Sequence, residues 1–262
     1  MKTKQEFRNR YLLLPLCVCG ICFFFFSCNK EEKTGRVNMN FSFSVGEQEL
    51  QSHQLQYTNA AGNVYQVDEV KYFISDIQLF RSTGKIFTIS DHNSVYYVDR
   101  DISSTLQWNV GDLLPVGKYD SIRFIVGLSA SRNVSHAFPN PPECNMAWPD
   151  SMGGGYHYMQ INGKWNAPDG LTPFSIHTGI SISKDSVSSL ERLYHHCFTV
   201  TLPMQLTVSE KNTNTITLNM DINQWFNDPV IFDFDVWGGS IMNNLPAQLI
   251  LKQNGKNVFS VK

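Results

Sequence analysis

Between residues 37 and 45 every second side chain is apolar: Val37, Met39, Phe41, Phe43 and Val45 alternate with Asn38, Asn40, Ser42 and Ser44. A period of two puts all five apolar groups on one side of an extended strand, and that side must be covered by a second layer. Ile216, Leu218, Met220 and Ile222 repeat the pattern against Thr217, Asn219 and Asp221. Further strands are predicted over 69–80, 85–90, 94–99, 118–128, 156–162, 173–179, 197–208, 246–252 and 256–261. Ser82-Thr83-Gly84, Pro115-Val116-Gly117 and Asn254-Gly255 supply turns between several of them. Helical periodicity is confined to 187–194 and 223–226. So many short strands predict an all-β chain folded as a single antiparallel β-sandwich domain over 37–262, with a barrel as the other way to close the same strands. A long irregular insertion around 129–155 carries Pro139, Pro141, Pro142, Pro149 and the glycines 153–155. Its aromatic residues and Cys144 predict that it is ordered.

The N-terminus follows other rules. Lys2, Lys4, Arg8 and Arg10 precede an apolar run from Tyr11 to Phe26, and the small Ser27 stands before Cys28. Basic region, apolar region and small residue make a secretory signal. The apolar run is shorter than the ~20 residues a membrane helix needs, so a permanent N-terminal anchor is the weaker reading. Phe-Phe-Ser-Cys resembles the site cut by lipoprotein signal peptidase. The expected organisation is therefore a signal peptide over 1–27, a tether over 28–36 whose lipidation site is Cys28, and the folded domain beyond. Acyl chains on Cys28 would hold the domain on a membrane outside the cytoplasm. Asn29-Lys30-Glu31-Glu32 resembles the surface-export signal of Bacteroidota-type lipoproteins, which favours the outer membrane, on its periplasmic or its outer face. An ordinary charged tether is the alternative. Cys19-Gly20-Ile21-Cys22 matches the redox C-x-x-C pattern but lies in the discarded segment, so no chemistry is assigned to it.

Removing residues 1–27 leaves a mildly acidic chain of formal charge −5. Without a basic stripe this is a poor nucleic-acid binder. Two cysteines remain after the signal and the anchor, Cys144 and Cys197. An isolated pair in an oxidising compartment is expected to form a disulfide, with thiolate metal ligation as the alternative.

The chain has no G-x-S-x-G, no H-E-x-x-H and no phosphate-binding glycine loop. The reading is a non-catalytic protein. The richest segment is Met146 to Gln160. As a strand, 156–162 would place His157, Met159 and Ile161 on one face. Imidazole and thioether two residues apart suit a soft ion such as Cu(I). His177 lies on a later strand, and His195-His196 stands beside Cys197. A Cys144–Cys197 bridge would draw 195–196 towards Met146–Trp148. The plain alternative is a hydrogen-bonded histidine and a core-filling methionine. Trp148, Trp165, Trp225 and Trp237 suggest a different function, sugar stacking by a surface glycan- or nutrient-binding module beside a TonB-dependent outer-membrane transporter. Core packing is the alternative for them, and it is favoured for Trp225.

Several short markers occur in a fixed order. Tyr57-Thr58-Asn59-Ala60-Ala61-Gly62-Asn63 precedes Lys71-Tyr72-Phe73-Ile74-Ser75-Asp76-Ile77-Gln78-Leu79. Leu114-Pro115-Val116-Gly117-Lys118-Tyr119 and Phe124-Ile125-Val126-Gly127 follow. Then come Met146-Ala147-Trp148 with Gly155-Tyr156, and Phe174-Ser175-Ile176-His177-Thr178-Gly179. With these markers the chain, over roughly 37–261, resembles the methanobactin-associated periplasmic protein family (MbnP-like). The resemblance implies a β-sandwich-like fold and copper binding outside the cytoplasm. It also implies histidine ligands beside a tryptophan that a di-haem peroxidase-type partner oxidises to kynurenine. On this chain that tryptophan corresponds to Trp148, and His177 matches the histidine of the later strand. Two positions depart from the family pattern. Asp150 stands where relatives can place a histidine two residues after the modified tryptophan, and Leu128-Ser129 replaces a frequent Val-Asp. A copper site here would then rest on His157, His177 and Met159. A member of the family that serves only a structural role, with no ligand, is the remaining alternative.

Overall fold

The computed structural model describes residues 32–184 and 191–262. The segment expected to be a signal peptide and the expected lipidation site Cys28 lie outside these residues. Thirteen strands position the candidate site and the layers around it. In chain order they are β1 (Val37–Val45), β2 (Val64–Arg81), β3 (Ile86–Thr88), β4 (Val95–Asp99), β5 (Gln107–Asn109), β6 (Gly117–Val126) and β7 (Met159–Ala167). Then come β8 (Gly170–Thr178), β9 (Ile180–Lys184), β10 (Glu191–His195), β11 (Phe198–Val208), β12 (Asn214–Asp221) and β13 (Phe259–Val261). Three short helices follow β12: α1 (Gln224–Asn227), α2 (Phe234–Trp237) and α3 (Leu245–Asn254).

The larger sheet runs β8-β7-β2-β6-β11, with β3 and β4 also paired to β2. The smaller runs β13-β12-β1, with β5 also paired to β1. Alternation does what it predicts. In β11, Phe198, Val200, Leu202, Met204, Leu206 and Val208 are buried while the residues between them are exposed. Pro203 sits in that strand without disrupting a ladder on both sides, because β11 is the last strand of its sheet's path. The sheets meet through aromatic rings: Tyr72 of β2 lies edge-on to Phe41 and Phe43 of β1, at 6.5 and 6.2 Å between centroids, and Phe259 of β13 lies 5.4 Å from Phe124 of β6. This is a β-sandwich, as expected. One pair departs from the antiparallel expectation: β1 and β12 run parallel over eight register pairs. Parallel neighbours need a long crossover, and here the whole larger sheet lies between them in sequence.

Three local expectations are corrected. Residues 246–252 belong to α3, not to a strand. Asn244 Oδ1 caps the helix by accepting the Ala247 N–H at 3.1 Å, and Pro246 sits in the first turn, where its missing N–H costs nothing. A short apolar run does not by itself distinguish strand from helix. The helical turns expected at 187–194 overlap β10, which is a strand from Glu191 and pairs with β9; residues 187–190 fall outside the described set. The strand expected over 156–162 begins only at Met159.

Neighbouring residues of a strand point to opposite faces. Tyr72 therefore faces the smaller sheet, and Phe73 faces away from it. The 129–158 insertion covers that second face. Phe73, Leu128, Met146, Tyr156 and Tyr158 form a separate apolar cluster with Val95, Tyr97 and Ile180, joined by Phe138. Polar clasps hold the insertion in place: Asn133 accepts the Tyr156 N–H at 2.8 Å and donates to the Tyr158 hydroxyl at 3.1 Å, and the Tyr156 hydroxyl accepts the Phe138 N–H at 2.7 Å.

Candidate metal centre

The chain folds back on itself between Ala147 and Tyr156, which form an antiparallel bridge. The return needs three consecutive residues with φ of 111°, 67° and 81°, and Gly153, Gly154 and Gly155 supply them. Trp148 donates its backbone N–H to the Gly155 carbonyl at 2.9 Å, and its indole N–H to the Met152 carbonyl at 3.1 Å. The indole is 2 % exposed. It lies flat enough on the end of β8 that a Cβ at Gly179 would come within 2.5 Å of the ring. Another edge of Trp148 lines a cleft of about 520 Å³ shared with His136, Phe138, Cys144 and Asp150.

His157 follows this turn and lies just before β7. Its backbone N–H donates to the Met146 carbonyl at 2.7 Å, and its ring Nδ1 lies 3.0 Å from the same oxygen. A carbonyl only accepts, so Nδ1 carries the proton and Nε2 carries the lone pair. On one side the ring meets Trp148, with centroids 4.7 Å apart. It also meets His177, with centroids 5.0 Å apart and planes nearly perpendicular. Trp148, His157 and His177 thus form a file of three rings contributed by the insertion and β8.

His177 is placed by register. It pairs with Gln160 of β7, which pairs in turn with Lys71 of β2. Lys71 shares its face with Phe73, so His177 stands on the face the insertion covers. Its Nε2 lies 2.8 Å from Asn162 Oδ1, and its Nδ1 is buried without a hydrogen-bond partner. Asn162 Nδ2 donates to Glu69 Oε2 at 2.8 Å. Burial pushes the His157 imidazole below its ordinary range. Burial first, and then the neighbouring His157, take His177 down to about 4. Both rings are neutral at pH 7, the form that ligates a metal.

Met159 does not join this file. It pairs with Tyr72, so its side chain enters the core between the sheets, where it is fully buried. The expectation that it shares a face with His157 fails because 157 precedes the strand whose alternation was applied to it. Cys144 and Cys197 are not bridged; both are free thiols. Cys144 sits in the 3-10 turn Glu143–Met146 beside Asn145 Oδ1 and lines the cleft, whereas Cys197 packs against the Phe73 cluster. His195, the last residue of β10, and His196 just beyond it find different partners. His195 Nδ1 lies 3.0 Å from the Tyr158 hydroxyl, while His196 is buried with Nε2 2.9 Å from Ser181 Oγ. Among the described residues no three His, Cys, Asp or Glu side chains gather as a metal site. Of the four tryptophans offered for sugar stacking three are enclosed and Trp237 is half-buried. Trp148 and Trp165 are 2 % and 5 % exposed, Trp225 is fully buried, and Trp237 packs on Phe232.

Sequence reasoning missed Asn162, Glu69 and Gly179 as parts of the centre. Glu69 and Asn162 are unremarkable polar residues of predicted strands, and only the register brings them beside His177.

The sequence model of the MbnP family matches residues 34–242. Among solved structures, MbnP from Methylosinus trichosporium is similar, with a TM-score of 0.51 and 18 % identity over 74 % of this chain and 78 % of that one. At that identity the likeness speaks for the fold. No curated protein sequence matches the chain.

Proposed function

This chain belongs to the MbnP family, and on that premise we propose that it is a non-catalytic copper-binding protein that takes the ion between His157 and His177, beside Trp148. The observation that carries the proposal is the buried, unpartnered Nδ1 of His177 in a ring 5.0 Å from His157. A polar atom buried without a partner costs about 1–3 kcal/mol, and a metal ion is a partner that removes the cost. The donor set fits copper in its lower oxidation state. Cu(I) accepts two imidazole nitrogens, whereas a structural zinc site needs four protein ligands. Each ring's other nitrogen is held by an oxygen acceptor, the arrangement that orients metal-binding imidazoles.

Copper here is cargo, taken up or handed on. The protein reaches it outside the cytoplasm, tethered to the outer membrane through acyl chains on Cys28. A di-haem peroxidase-type partner belongs to the same proposal. The cleft lined by Trp148 is where it would approach the indole, and the indole's edge contact with His157 ties any change in that ring to the metal-binding face. The glycan-binding alternative loses most of its motive, since Trp148, Trp165 and Trp225 are enclosed by protein and only Trp237 is half-buried.

The test is metal analysis of residues 32–262 after loading with Cu(I). The expected result is one ion per chain, lost in the His157→Ala/His177→Ala double variant. Unchanged stoichiometry in that variant would remove the site. For the anchor, Cys28→Ala is expected to release the protein from the membrane fraction; persistent membrane association counts against lipidation.

A further inference from the structure

We propose that Glu69, acting through Asn162, fixes the tautomer of His177 and so makes Nδ1 the nitrogen this strand presents to a metal. The value of that choice rests on the copper reading above; the tautomer itself follows from hydrogen-bond chemistry alone.

The relay begins at the carboxylate. Glu69 of β2 and Asn162 of β7 are register partners, and His177 of β8 lies one step along on the same face. A carboxylate only accepts hydrogen bonds. The amide group of Asn162 that meets Glu69 Oε2 at 2.8 Å must therefore be the donor, Nδ2. The opposite orientation would set the amide oxygen against the carboxylate. With Nδ2 committed, Oδ1 is the atom 2.8 Å from His177 Nε2. An amide oxygen only accepts, so Nε2 carries the proton. The lone pair of the neutral ring is left on Nδ1, the atom that is buried without a partner. Lys71, 3.3 Å from the other Glu69 oxygen, keeps a cation beside the carboxylate, and the Asn162 bond above all holds Glu69 below its ordinary range. Both effects keep Glu69 ionised and its accepting role fixed.

Asn162 and Glu69 are positioning residues: neither presents an atom to the metal. Without them His177 is free to place its proton on Nδ1, which blocks the nitrogen that faces no other partner. Acceptors that orient a metal-binding imidazole in this way change metal affinity about 10–100-fold when removed.

The tautomer is read directly from long-range proton–nitrogen NMR correlations of the metal-free domain labelled with 15N-histidine, at pH 8. Wild type is expected to show His177 protonated on Nε2. Asn162→Ala is expected to give a mixture or the Nδ1-protonated form. The Glu69→Gln/Asn162→Asp double variant, which reverses the donor between residues 69 and 162 but leaves an oxygen at 162 accepting from His177 Nε2, is expected to restore the wild-type tautomer. Signals of His195 and His196 report that each variant is folded. An Nδ1-protonated His177 in wild type, or an unchanged tautomer in Asn162→Ala, overturns the proposal. In parallel, Cu(I) competition is expected to show affinity about 10–100-fold weaker in Asn162→Ala. Equal affinity in the two proteins would overturn the claim that the tautomer matters to the metal. A wild type that takes no copper contradicts the function, while the NMR result still decides the relay.

Discussion

Tyr72 and Phe73 are neighbours on β2, yet the layers that cover them are of different kinds. Tyr72 faces a second sheet whose strands largely alternate, and its ring meets Phe41, Phe43 and Phe259. Phe73 faces an irregular insertion held by glycines, an asparagine and tyrosine hydroxyls. The first face is apolar and repetitive, and buries side chains for stability alone. The second mixes aromatic rings with the neutral His157 and His177, and His177 keeps an unpartnered Nδ1. A sandwich needs only its inner face. The outer face can therefore be covered by a segment under different constraints, and the candidate centre lies there.

The contrast breaks most readily on the inner face. Tyr72→Ala should lower stability by about 3–5 kcal/mol in denaturant unfolding, since it empties a large core site. A loss below about 1 kcal/mol would mean that the sheets are not packed as described. Acid should act next, on His177 of the outer face and on the buried His196. His177 and His196 both have folded-state values taken down to about 4 by burial, against an ordinary 6.5. Between those values the unfolded chain binds more protons, so stability is full above about pH 6.5 and falls as the pH drops towards 4. For the fully buried His196 the loss is about 3 kcal/mol. His196→Gln should flatten that part of the profile, and an unaltered slope would contradict the assignment. Gly179→Ala should cost about 1–3 kcal/mol, because the new methyl meets the Trp148 ring. It should also change the tryptophan fluorescence of the outer face while leaving the inner face intact by hydrogen exchange. The smallest effect separates the faces by chemistry. Met159→Leu should cost less than about 1.5 kcal/mol and leave copper stoichiometry unchanged; a loss of copper would return Met159 to the site. Free thiol titration should find both Cys144 and Cys197, with Cys144 reacting first.

The inner face was legible in the sequence because a period of two encodes it residue by residue. β1, β11 and β12 follow their alternation with few exceptions. Legibility failed where tertiary context decides. The Leu245–Asn254 run reads as apolar either way, and the Asn244 cap with Pro246 makes it a helix. The strand expected from residue 156 begins three residues later, at Met159, and applying its alternation to His157 put Met159 beside it. The two histidines and the tryptophan were found from residue type and marker order. Their shared location depends on the fold-back at 147–156 and on the β7–β8 register, neither of which a single sequence displays. The disulfide was inferred from compartment and count, and neither specifies where two side chains end up.

The central claim is that a metal binds between the lone pairs of His157 and His177. Titrating Cu(I), which is diamagnetic, into the 15N-histidine-labelled domain tests it most directly. Of the chain's seven histidines, His157 Nε2 and His177 Nδ1 are predicted to shift together and to saturate at one equivalent, with His53, His92, His136, His195 and His196 unmoved. Saturating shifts at any other pair, or none at His157 and His177, would contradict the account.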